Sequence, residues 1–142
     1  MDIKINFTAV AVAVFINFIL GFLWYAAIFT KPWIKEMGYD PTMRPDKKQM
    51  LKGVGLSILG SFLFVWMLAF YLAGWKYIPN SDQMGSFSFA FNSALSVWLG
   101  FFVPVHLSKV VWEKHSWKLF LINSGFNLVS SMAVALLLAY WT

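Results

Sequence analysis

The chain has 142 residues, of which 60% are hydrophobic, 20% aromatic and 12% charged, whereas soluble domains carry roughly 25% charged residues. Eleven basic and six acidic side chains cannot cover the surface of so apolar a domain, so lipid must supply the missing cover. The absence of cysteine excludes disulfides, thiolate metal sites and cysteine nucleophiles.

Four stretches lack any charge: Ile5 to Thr30, Gly53 to Trp75, Gln83 to Ser108 and Leu119 to Thr142. A helix needs about 20 residues to cross a hydrocarbon core of roughly 30 Å, so each stretch can span once. Lipid offers no hydrogen-bond partners, so these spans must satisfy their backbones internally, which calls for helices. The expected architecture is an all-α, single-domain membrane protein with helices near 5–29, 53–76, 86–108 and 118–141.

The first helix is read as retained. Its apolar stretch is too long for a secretory leader, and basic residues follow it. Beyond it, Pro32, Trp33, Ile34 and Met37 make an apolar face ahead of Gly38, which suggests a short interfacial helix. Pro45 and Asp46 can open an extension of the second helix. Pro79-Asn80-Ser81-Asp82 reads as a turn, and Ser116 can cap the fourth helix. Pro104 should kink the third, because its ring presses on the carbonyl of Gly100.

Nine of the eleven basic residues fall in two loops: Lys31, Lys35, Arg44, Lys47, Lys48 and Lys52 in the first, and Lys109, Lys114 and Lys118 in the last. Lys4 and Lys76 are alone on the other side. The positive-inside rule then puts both termini outside and both basic loops in the cytoplasm of a multi-pass inner-membrane protein, where anionic lipid is the expected partner. A nucleic-acid role is not expected, since the loops match no recognised binding module. Trp33, Trp112 and Trp117 at one face, with Trp75 and Trp141 at the other, are the expected headgroup anchors.

No acid or base lies within the spans except His106, near the cytoplasmic end of the third helix. Proton relays and ion-coupled sites are built on intramembrane carboxylates, which this chain lacks. Counting along each helix puts Asn17, Ser61, Ser96 and Asn127 near the midplane, with Trp66 and Trp98 close by. Asn123, Asn127 and Ser130 form one stripe on the fourth helix. These groups either tie helices together or line a route for a small uncharged or weakly anionic solute, with His106 and Asn123 at its inner mouth. No phosphate loop, HExxH helix, serine nucleophile elbow or haem-ligand pair is present, so neither an enzyme nor a cofactor or metal site is expected. His115 and Glu113 lack a third ligand.

Sliding the chain by 79 residues aligns Leu20-Gly21-Phe22 with Leu99-Gly100-Phe101, Trp33 with Trp112 and Lys35 with Lys114, as a duplicated two-helix hairpin would. Matches among such common residue types also arise by chance.

Two motifs resemble a family. Gly21-Phe22-Leu23-Trp24-Tyr25 followed by Lys31, Trp33 and Gly38, and Trp98-Leu99-Gly100-Phe101 with Trp117-Lys118-Leu119-Phe120-Leu121-Ile122-Asn123 and Gly125, are similar to the bacterial membrane family known as domain-of-unknown-function family 1761. Ala26-Ala27 stand where members often have Ser-Pro. The resemblance implies four membrane helices and no particular activity, substrate or cofactor. The role expected from the residues is a homo-oligomer or an accessory subunit of a membrane complex.

Overall fold

In the computed structural model, which describes residues 3–44 and 46–141, all regular structure is helical among the described residues. Helix α1 (Phe7–Phe22) runs into a π turn (Leu23–Ile28), and α2 (Thr30–Met37) follows after a bend at Phe29. Helix α3 (Lys47–Trp75) returns, α4 (Ser86–Val97) continues through a second π turn (Trp98–Phe102) into α5 (Val103–Trp112), and α6 (Trp117–Trp141) closes the bundle. Four of these units are long and apolar enough to cross a membrane: Phe7–Ile28, Lys47–Trp75, Ser86–Trp112 and Trp117–Trp141.

Local chemistry sets the ends. The side chain of Asn6 accepts from the Ala9 N–H at 3.2 Å, Asp46 from Gln49 at 2.6 Å and Ser116 from Leu119 at 3.1 Å, each capping a helix whose first N–H groups have no partner within it. The second span therefore starts at Lys47, six residues ahead of the position expected from charge alone, as the Asp46 cap allows; Pro45 lies outside the described residues. The third span likewise runs four residues past Ser108, to Trp112. Pro79-Asn80-Ser81-Asp82 does turn, with Asn80 left-handed ahead of a 3-10 helix (Ser81–Gln83).

The segment expected to lie in the interface is a two-turn helix, α2, closed by Gly38 at φ 73°, with the Tyr39 N–H donating back to the Ile34 carbonyl at 3.1 Å. Only glycine takes that conformation without steric cost. At the end of α5 a similar closure, His115 N–H to Lys109 carbonyl at 3.2 Å, forces Lys114 to φ 54°. Lys114→Gly should therefore raise stability by about 1 kcal/mol, read as a higher Tm in detergent.

The apolar core fills the half of the bundle that holds the chain termini. There Ala9, Val10 and Ala13 of α1, Val65, Leu68 and Leu72 of α3, Ala90 and Ala94 of α4, and Val134, Ala135 and Leu138 of α6 are all buried. So many alanines let the helices approach closely, which is how membrane helices gain packing energy. Helix α6 is the central post: 39% of its most apolar stretch is buried within the protein, against 6% for the third span, which packs mainly on it. Toward the basic loops the core thins, and polar and aromatic contacts with α6 replace it.

Candidate functional site: a polar network on the fourth span

At the middle of the first span, Asn17 is 7% exposed and joins three helices. Its side-chain N–H donates to Ser61 Oγ of α3 at 2.9 Å, and its carbonyl oxygen accepts from the Ser130 hydroxyl of α6. With no water at that depth, an unpaired amide would cost several kcal/mol, so pairing is what makes asparagine tolerable there.

A second layer lies nearer the basic loops, along Ile122 to Asn127 of α6. The Trp24 indole N–H donates to the Ile122 carbonyl at 2.9 Å, and the Trp98 indole to the Ser124 carbonyl at 2.7 Å. The Tyr25 hydroxyl donates to Asn123 Oδ1 at 2.8 Å, and His106 Nε2 lies 2.6 Å from Asn127 Oδ1, an acceptor to which a proton on Nε2 would be donated. Gly125 lies against this layer, where a Cβ would sit 3.4 Å from the Trp24 ring, at ordinary van der Waals contact. Phe126 packs between Trp24 and Tyr25, with centroids 6.2 and 5.3 Å away, and Tyr25 extends the cluster to Trp33 at 5.6 Å and thence to Tyr39.

Both indoles belong to π turns. Trp24 lies within the first and accepts from the Phe29 N–H at its carbonyl, while Trp98 opens the second. A proline follows each turn closely, Pro32 in α2 and Pro104 in the first helical turn of α5. Proline denies the helix an N–H and crowds the preceding turn, and a wide turn relieves that crowding. Where a kink is expected at Pro104, the helix carries a π turn around Gly100. The two π turns start 75 residues apart, at Leu23 and Trp98, not at the 79-residue spacing of the sequence repeat.

The midplane residues do not form one cluster. Asn17 and Ser61 are joined, with Ser130 as the third member; Asn127 sits in the second layer with His106, and Asn123 with Tyr25. Ser96 is exposed, and its hydroxyl donates to the Asn92 carbonyl one turn back. Trp66, flanked by Phe62 and Phe70, has a buried indole N–H that finds no acceptor among the described residues. Of the five anchor tryptophans, Trp112, Trp117 and Trp141 are exposed; Trp33 packs against Tyr25, and Trp75 against Tyr71. Sequence reading missed Trp24 and Trp98 as donors to backbone carbonyls, because a carbonyl already inside a helix leaves no mark in the sequence. His115 and Glu113 stand 3.6 Å apart, and no group of three metal-ligating side chains occurs among the described residues.

Residues 8–139 match the model of a family described as protein of unknown function (DUF1761), and the chain belongs to that family. No curated protein and no solved structure matches it significantly. Trp24, Tyr25, Trp98, Asn123 and Gly125, which carry the resemblance in sequence, all take part in the second layer around α6.

Proposed function

We propose that this DUF1761 protein is an assembly-forming membrane subunit, oriented with its basic loops in the cytoplasm, and that its third span is the contact surface. The observation that carries this is a row of small and polar residues facing away from the bundle: Ser88, Asn92, Ser96, Gly100, Pro104 and Ser108 are all exposed. Residues four apart drift by about 40° per step in an α-helix, and the π turn winds part of that drift back, so the row stays near one face. Asn92 and Ser96 satisfy one group each on their own backbone, donating to the Ser88 and Asn92 carbonyls at 2.8 and 2.7 Å. An amide turned toward hydrocarbon is costly, and small residues on a bare helix face are what close helix contacts use.

Native mass spectrometry in mild detergent tests this. The wild type should appear as an oligomer, and Asn92→Leu should shift it toward monomer by a factor of about 5–10, the effect of one interhelical polar contact of roughly 1–1.5 kcal/mol. A wild type that is monomeric throughout would refute the reading. The alternative, a route for a small uncharged or weakly anionic solute, draws instead on the midplane residues Asn17, Ser61, Ser96 and Asn127, with His106 and Asn123 at its inner mouth. Their pairing with one another, Asn17 with Ser61 and Ser130 and Asn127 with His106, supports a packing role instead. Solute flux into liposomes that Asn127→Leu abolishes would reverse that preference.

A further inference from the structure

Toward the basic loops α3 leans off the bundle. Gln49 to Gly60 are exposed without exception, whereas Val65, Leu68 and Leu72 further along the same helix are buried. Between this half of α3 and the first span lies a mostly apolar groove of about 740 Å³, walled by Phe18, Phe22 and Tyr25 on one side and by Met50, Gly53 and Ser57 on the other. Asn17 and Ser61 close its deep end, and both are already hydrogen-bonded. Its volume falls within the roughly 300–1,000 Å³ of small-molecule sites. We infer that this groove holds one acyl chain of an anionic phospholipid from the leaflet at the basic end.

Three features support that occupant. From Gln49 to Ser61 the groove follows α3 for about 18 Å, against about 15 Å for the hydrocarbon of one leaflet, so it accommodates a chain and ends where the leaflet ends. Its deep end presents satisfied polar groups and no charge, which suits a methyl terminus. Its mouth lies at the start of α3, where Arg44, Lys47, Lys48 and Lys52 are all exposed and, among the described residues, none forms an ion pair.

The neighbouring carboxylates are engaged locally. Asp46 caps α3, and Asp40 accepts from both the N–H and the hydroxyl of Thr42, which hold its carboxyl below the usual range. The cations are thus free for a phosphate. A second copy of the chain in this groove would bring its own basic segment to the same side of the membrane, so like charges oppose that occupant.

The test uses the full protein in detergent, titrated with equimolar dioleoylphosphatidylglycerol and dioleoylphosphatidylcholine and read by native mass spectrometry. The wild type should keep one lipid, with about ten-fold preference for the phosphatidylglycerol. The charge variant K47Q/K48Q/K52Q should keep a lipid and lose the preference. Gly53→Phe and Ser57→Phe should each lose the lipid; a Cβ at Gly53 meets nothing within 4 Å, so the bulkier side chain enters open groove and leaves the core intact.

Equal retention of the two lipids by the wild type would overturn the inference, as would a bound lipid unchanged in both phenylalanine variants. Disulfide-linked dimers from Ser57→Cys, in a chain with no other cysteine, would instead give the groove to a second copy. Because the proposed assembly surface is on another helix, Asn92→Leu should leave the bound lipid in place, so the two readings fail separately.

Discussion

Ala94→Leu should destabilise the protein by about 3 kcal/mol, the upper part of the range for overfilling a packed interior. Ala94 is fully buried on α4, and with Ala90 and Ser93 it makes up that helix's whole buried surface. Helix α4 packs on α6, whose Val134, Ala135 and Leu138 share one core cluster with Ala90 and Ala94. Two helices that meet through alanine and serine have backbones close together, so a branched side chain has no lateral space and must push the helices apart. Reversible unfolding in mixed detergent micelles would measure the loss. Ala11→Leu is the control, since Ala11 is exposed on α1, and it should change stability by no more than about 0.5 kcal/mol. Equal effects at the two positions would mean that the helices do not pack through this face.

At Asn17 the chemistry of the replacement matters more than its size. Asn17→Leu removes both bonds to Ser61 and Ser130, and with each interhelical bond worth about 0.6 kcal/mol on average it should cost about 1–2 kcal/mol. Asn17→Asp keeps the shape but removes the donor to Ser61 and puts a carboxylate at the middle of the span. Insertion scales charge about 2.5–3.5 kcal/mol for an acid at that depth, so the aspartate should be the worse variant at neutral pH by about 2 kcal/mol. The same unfolding assay separates them. If leucine proves as damaging as aspartate, Asn17 matters for its fit and not for its bonds.

How far the sequence alone could lead is clear from particular elements. Gaps in the charge located all four spans, because burying a charge in hydrocarbon is so costly that its absence is nearly obligatory there. Caps and turns were equally legible at Asp46, Ser116 and Asn80, where one side chain or one backbone conformation decides the outcome. The polar network was legible only as depth. Counting along a helix tells how deep Ser96 lies but not which way it faces, and it faces outward; Asn127 and Ser130, on one stripe of α6, went to different partners because the crossing of the helices decides which meets α1. The π turns were hidden for another reason. They use the same residue types as an α-helix and differ in one backbone bond, so Pro32 and Pro104 were their only trace.

The second π turn has an effect on phase. It places one residue more in the turn than a regular α-helix would, and each residue advances an α-helix by about 100°. Trp98, ahead of the extra residue, and His106, beyond it, both reach α6. In an unbroken 3.6-residue spiral, fixing the indole on Ser124 would swing the imidazole by roughly that angle off Asn127. The wide turn thus works like a spacer that sets two halves of one rod to the same bearing, letting a single span grip its neighbour at two heights.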